Sequence, residues 1–145
     1  MEICFVEDCR LQTLKLEKAL KELAVEHETK IYDNATEVLF LMQEGTLTPD
    51  LLVVDLNMPQ MTGLELIREV KESIEFCHIP IVVLTSSTFH RDIADCYQYS
   101  VSGYFNKASA FNVYLKTLKK MIAYWEMNVF LTTENQFKYN DSQRM

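Results

Sequence analysis

Strand-like and helix-like stretches alternate five times along this chain, and that alternation restricts the fold more than any other feature. Ile3–Val6, Thr29–Tyr32, Leu51–Val54, Ile79–Leu84 and Ser102–Phe105 are short runs rich in apolar residues, each followed by polar or turn-forming residues. Runs of this kind read as strands, and the most apolar of them as strands covered on both faces. The stretches between and after them have helical spacing, from about Cys9 to Val25, Ala35 to Glu44, Thr62 to Ile74, Arg91 to Tyr99 and Ala110 to Met127. A repeated strand–helix unit requires a parallel sheet with right-handed crossovers and helices on both faces. The expected class is therefore α/β, a doubly wound five-stranded parallel sheet.

Local signals support the helix assignments. Asp33-Asn34 is a turn that places an N-cap before Ala35, and Gly45 is a suitable stop. In the first helix, Leu16, Leu20 and Leu23 share a face that Leu11 and Leu14 extend, while Lys15, Lys18 and Lys21 fall largely on the other side. Leu66, Ile67, Val70 and Ile74 point inward from the third helix, and Leu115, Leu118, Ile122 and Trp125 from the last. One folded domain is expected over residues 1–127. The extension at 128–145 is expected to be partly disordered, because from Thr132 it is polar and without period.

With 145 residues the chain suits a single domain with a sizeable core. Its net charge of -7 argues against a nucleic-acid partner. No stretch approaches the length and apolarity of a membrane span, and no N-terminal signal pattern is present, so a cytoplasmic protein is expected. Cys4, Cys9, Cys77 and Cys96 lack zinc-ligand spacing and read as reduced cysteines, some of them buried.

In a doubly wound sheet the ligand site lies beyond the carboxyl ends of the strands. Glu7 and Asp8 follow the first strand, Asp55 the third, Thr85 the fourth and Lys107 the fifth. Each has an ordinary reading when taken alone. Glu7-Asp8 would cap a helix, Asp55 and Thr85 would sit in turns, and Lys107 would be solvated or paired to a carboxylate. Together they form a chemical set. Three crowded carboxylates need a cation, and Mg2+ favours oxygen ligands and phosphate. Asp8 and Asp55 would be its direct ligands, with the longer Glu7 acting through water. Neutralised in this way, Asp55 becomes a usable nucleophile toward a phosphoryl group. The Lys107 ammonium and the Thr85 hydroxyl could then stabilise the phosphoryl oxygens.

The residues Val6-Glu7-Asp8, Val54-Asp55-Leu56-Asn57-Met58-Pro59, Met61-Thr62-Gly63, Thr85-Ser86 and Tyr104-Phe105-Asn106-Lys107 occur in an order and spacing that resembles the receiver domain of two-component response regulators, the CheY-like superfamily. The resemblance spans Ile3 to about Trp125. It implies a flavodoxin-like (βα)5 fold with strand order 2-1-3-4-5. It also implies Asp55 as phosphoacceptor, Mg2+ held by Glu7, Asp8, Asp55 and the Asn57 carbonyl, and phosphoryl contacts from Thr85 and Lys107. Tyr104 would be an aromatic switch moving with Thr85. Ala108 stands where receivers usually carry proline, and Ser86 where alanine or glycine is commoner. Lys107-Ala108-Ser109 and the segment from Trp125 to Val129 are similar to stand-alone receivers paired with bacterial phytochrome kinases.

The function so implied is that of a single-domain response regulator in a phosphorelay. Its phosphoryl group would come from a sensor histidine kinase or a histidine phosphotransfer protein. It would be no enzyme beyond its own phosphorylation and dephosphorylation. Because only about 20 residues follow the last helix, output is expected through protein contacts. These would lie on the face of helix 4, strand 5 and helix 5, carrying Tyr97, Tyr99, Tyr104 and Tyr114, or on the C-terminal segment with Trp125, Val129, Phe130 and Leu131. Either surface could also form a homodimer. The alternative is a pseudo-receiver, a constitutive interaction module without the chemistry. An unrelated Mg2+-dependent phosphatase fits less well, since Asn57 occupies the position where such enzymes carry a second acid.

Overall fold

The computed structural model describes residues 1–131. Thr132 onward, including most of the expected extension, lies outside the described residues. The elements follow in the order β1 (Glu2–Val6), α1 (Arg10–Glu22), β2 (Glu28–Tyr32), α2 (Ala35–Glu44), β3 (Leu51–Val54), α3 (Gly63–Glu72), β4 (Ile81–Thr85), α4 (His90–Gln98), β5 (Gly103–Asn106) and α5 (Phe111–Glu126). The five strands make one parallel sheet in the order β2-β1-β3-β4-β5, as expected.

The two-residue period of a strand divides the core into two layers. Cys4, Val6, Leu52, Val54, Ile81 and Val83 pack with Val38 and Met42 of α2, Leu66, Ile67 and Val70 of α3, and Cys96 of α4. The intervening residues Ile3, Phe5, Leu51, Val53, Val82 and Leu84 pack with Leu16, Ala19 and Leu20 of α1 and with Tyr114, Leu118, Met121, Ile122 and Trp125 of α5. The runs Ile3–Val6, Leu51–Val54 and Ile81–Leu84 of β1, β3 and β4 are apolar throughout because helices cover both faces. Each fully buried Leu, Ile or Val contributes roughly 1.5–3 kcal/mol, so the sheet centre is a rigid base for the loops at its carboxyl edge.

Helix ends follow their local chemistry. The Asn34 side chain accepts from the Glu37 N–H at 3.0 Å, and Gly45 closes α2 with φ of 80°. Thr62 caps α3 by accepting from the Glu65 N–H at 3.2 Å. No helix among the described residues is long and apolar enough to cross a membrane. All four cysteines are free, Cys4 and Cys96 buried and Cys9 and Cys77 exposed.

Several sequence expectations change. Leu11 and Leu14 are 75% and 44% exposed, so the buried stripe of α1 is Leu16, Ala19 and Leu20. Ile74 is 90% exposed, since α3 ends at Glu72 and the extended backbone of Ser73 turns Ile74 away from the helix face. β4 begins at Ile81 rather than Ile79, because Pro80 lacks an N–H and supplies only its carbonyl, to Leu52. Tyr114 belongs to the core instead of an interaction surface, at 1% exposure, while Trp125 at 8% lies on the inward face that the helical spacing indicated and not on the C-terminal docking segment. Lys15 does not point into solvent but crosses to α5.

Candidate functional site

The carboxyl ends of β1, β3, β4 and β5 bring the candidate residues to one edge. Parallel pairing sets Val6 beside Val54 and Thr85 beside Asn106. Backbone bonds continue past the strands: the Asp55 N–H donates to Val6 at 3.1 Å and the Lys107 N–H to Thr85 at 2.8 Å. Asp55 is thus fixed between Glu7-Asp8 and the end of β4, with Lys107 one strand further along. α3 seats the far side of the Asp55 turn, where the Gly63 N–H donates to the Leu56 carbonyl at 3.2 Å. A Cβ on Gly63 would lie 2.1 Å from the Asp55 carbonyl oxygen, so only glycine permits this approach.

Glu7, Asp8 and Asp55 each offer a carboxylate oxygen, and the three lie within 4.8 Å of one another. Glu7 and Asp55 are buried, while Asp8 is half-buried. The Lys107 ammonium donates to Asp55 Oδ2 at 3.2 Å and also to Glu7 Oε2. The Cys9 N–H donates to Glu7 Oε1 at 3.0 Å, and the Asn57 N–H to Asp55 Oδ1 at 3.4 Å. Asn57 itself is exposed on the loop after Asp55. Burial pushes the Glu7 carboxyl above its ordinary range, against the lowering effect of Lys107. Three acids against one ammonium leave a net negative site of hard oxygen donors. That is the donor set a divalent cation of the Mg2+ kind takes.

Glu7-Asp8 do not act as a helix cap in the ordinary sense. The N-cap of α1 is Cys9, without a side-chain cap bond, and no acid stands in the first turn. Asp55 does hold its own turn through Asn57, but its second oxygen faces Lys107.

Thr85 is fully buried, and its Oγ1 accepts from the Ser87 N–H at 3.4 Å. It ends β4 at the start of the β4–α4 turn, and its hydroxyl makes no hydrogen bond to the Lys107 ammonium among the described residues. The same turn engages Tyr104, whose hydroxyl donates to the Ser87 carbonyl at 2.9 Å. The ring packs on the α2/α3/α4 layer, and burial raises the phenol above its ordinary pKa. The Ser87 hydroxyl donates to Asp92 of α4. Ser87 thereby links the threonine, the tyrosine and α4. Asp92 is a participant that the sequence did not disclose, because its role depends on how the turn folds back. Tyr97 is 52% exposed on α4.

After Lys107 the chain continues through a trans bond to Ala108, as no cis peptide occurs among the described residues. The Lys15 ammonium donates to the Ala108 carbonyl at 2.8 Å. A small cavity of about 10 Å3 lies beneath the site between Glu7, Gln12, Asp55, Lys107 and Tyr114.

A five-stranded 2-1-3-4-5 parallel sheet with an acid cluster, a lysine and a threonine at its carboxyl edge defines a class of signalling domain. The family model of the response regulator receiver domain matches residues 3–134, and the chain belongs to that family. It is 30% identical over 134 residues to response regulator Rcp1 of Synechocystis sp., covering 89% of this chain and 91% of that one. Among solved structures, the phosphorylated cyanobacterial phytochrome response regulator RcpA superposes with a TM-score of 0.82 at 27% identity, covering 90% of this chain and 98% of that one. The Mn2+-bound form of Rcp1 gives 0.80 at 28% identity, covering 91% and 99%. The receiver domain is a module of two-component signalling, and the fold and family inferred from the motifs stand.

Proposed function

We propose that this protein is a phosphoacceptor response regulator in which Asp55 takes a phosphoryl group from a phosphohistidine of a sensor histidine kinase or a histidine phosphotransfer protein. The observation that carries this reading is the Lys107 ammonium on Asp55 Oδ2, beside Glu7 and Asp8 carboxylates close enough to share one cation. An Asp55 carboxylate oxygen forms the new O–P bond while the donor N–P bond breaks. The electron pair stays on the donor imidazole, which takes a proton from solvent. Glu7, Asp8, Asp55 and the Asn57 carbonyl would hold Mg2+, which when bound supplies charge neutralisation for the incoming phosphoryl group. Lys107 and the Thr85 hydroxyl would each contact a phosphoryl oxygen, with Thr85 reaching it by a shift of the β4–α4 turn.

That shift is the basis of the switch. Ser87 in the β4–α4 turn is bonded both to Thr85 at the end of β4 and to Tyr104 of β5, so movement of Thr85 repacks Tyr104 and the face of α4, β5 and α5. Residues 1–127 act as the receiver and 128–145 as an extension. Output passes to a protein partner or a second copy, through that face or through the C-terminal segment, where Val129 is 96% exposed and Phe130 stacks on Trp125. The protein catalyses only its own phosphoryl transfer and dephosphorylation, and the setting is cytoplasmic, with neither nucleic acid nor membrane as partner.

Incubation with Mg2+ and a small-molecule phosphodonor, followed by intact mass measurement, tests the reading. The expected product gains one phosphoryl group that is lost in alkali and on treatment with neutral hydroxylamine, as an acyl phosphate is. Absence of the gain, or its independence of Mg2+, would refute it.

A further inference from the structure

We infer that Lys15 is a positioning residue for Lys107, acting through the Ala108 carbonyl. The inference rests on the phosphoacceptor reading for its effect on rate, but its geometric part concerns the resting protein alone.

The segment between β5 and α5 has little else to hold it. The Lys107 N–H bond to Thr85 is the last tie to the sheet, and the next backbone bond joins the Tyr114 N–H to the Ala110 carbonyl inside α5. The N-cap of α5, Ala110, has no side-chain cap bond. Among the described residues, Ala108 and Ser109 make one hydrogen bond between them, the one from Lys15 Nζ to Ala108 at 2.8 Å. Ala108 also leaves the backbone freer than a proline would. Lys107 therefore leaves a loosely held turn, yet its ammonium must span both Glu7 and Asp55.

The Lys15 contact is built from both sides. Its ammonium lies 4.5 Å from the centroid of the Tyr114 ring, and one turn later the Lys18 ammonium lies 4.5 Å from that of Phe111. Lysines three apart on α1 thus meet aromatics three apart on α5, so both pairs sit on facing stripes. Tyr114 is fixed in the core, and that fixes where Lys15 can reach. The Ala108 carbonyl accepts a charge-assisted bond, stronger than a neutral one. A free-swinging Lys107 would pair with either carboxylate in turn. With Ala108 pinned, its stem is aimed at both.

The test uses Lys15→Met, which keeps the stem and removes the donor, and Lys15→Arg, which keeps donor and charge. The first measurement is the 13Cε resonance of Lys107 in the unphosphorylated full-length protein, assigned by its loss in Lys107→Arg. It should move in Lys15→Met and stay within its wild-type position in Lys15→Arg. The second is the rate of phosphoryl incorporation from a small phosphodonor at saturating Mg2+. It should fall roughly three- to tenfold in Lys15→Met, the size expected when one charge-assisted bond orders a reacting group. It should recover to within about twofold in Lys15→Arg, with Mg2+ affinity unchanged in both. A Lys107 resonance unmoved in Lys15→Met, or equal losses in the two variants, overturns the inference. If the wild type accepts no phosphoryl group at all, the phosphoacceptor reading fails, and the resonance alone decides the role of Lys15.

Discussion

Gly63→Ala is the substitution whose cost can be worked out most directly from the site. The new Cβ would stand 2.1 Å from the Asp55 carbonyl oxygen, 2.7 Å from the Leu56 Cα and 2.8 Å from the Asp55 carbonyl carbon. All three are backbone atoms, so no rotamer change relieves the clash. To open the nearest contact from 2.1 Å to even 3.0 Å, α3 or the Asp55 turn must retreat by about 0.9 Å. Overpacking costs about 1–3 kcal/mol, and a backbone clash belongs at the upper end. Alanine returns up to about 1 kcal/mol through its better helix propensity. The expected net loss is about 2 kcal/mol or more. Gly45→Ala is the matched control. It has open space around it but φ of +80°, so its cost is the left-handed penalty of about 1 kcal/mol. Urea unfolding followed through the fluorescence of Trp125, the sole tryptophan, measures both. Gly63→Ala should lower the midpoint further than Gly45→Ala, with slopes unchanged. It should also slow phosphorylation, because the displaced atoms belong to Asp55. A loss below about 0.5 kcal/mol, or one smaller than that of Gly45→Ala, would refute the close-approach argument.

Lys107→Met leaves Glu7 and Asp55 buried with no ammonium between them, and breaking such a buried pair costs about 3–5 kcal/mol. Thermal scans should show a lower Tm without Mg2+ and a larger Tm rise on adding Mg2+ than in wild type; equal rises would contradict the shared-cation picture. Asn34→Ala removes the cap on the Glu37 N–H and should cost about 1 kcal/mol in the same urea assay, with phosphorylation unaffected. His78 is held below its ordinary pKa by burial and then by the Lys71 charge, and its buried Nδ1 has no partner among the described residues. The unfolded chain therefore takes up this proton first as pH falls below about 6.5. Stability that His78 contributes above that pH drains away toward its lower folded value. The stability of wild type relative to His78→Gln should accordingly fall between pH 7 and pH 5, and a constant difference would exclude this source of acid sensitivity.

What could be read in the sequence was whatever depends on short range or on strand order. Asn34 and Gly45 announce the ends of α2 because capping involves only the adjacent turn. Asp55 and Lys107 fall at the site because parallel strands deliver their carboxyl ends to one edge. Long-range packing was a different matter. Lys15 looks solvated on a helical wheel of α1 and gains its partner only because α5 lies alongside. Tyr114 resembles an interface tyrosine until the α1–α5 layer closes over it. Ile74 fits the helical period of α3, but the extended conformation of Ser73 ends the helix before the period can apply. The Ser87–Asp92 link required the fold of the β4–α4 turn, where a hydroxyl and a carboxylate five residues apart meet.

Asp55, rather than Asp8 or Glu7, is the proposed carrier of the phosphoryl group. Borohydride reduces an acyl phosphate to the alcohol, turning a phosphorylated aspartate into homoserine. The protein should be phosphorylated with Mg2+ and a small phosphodonor, reduced, digested and mapped by peptide mass spectrometry. Homoserine at position 55, and its absence when phosphodonor or Mg2+ is withheld, is the predicted result. Homoserine at position 8, a reduced residue at Glu7, or no reduction at any acid would contradict it.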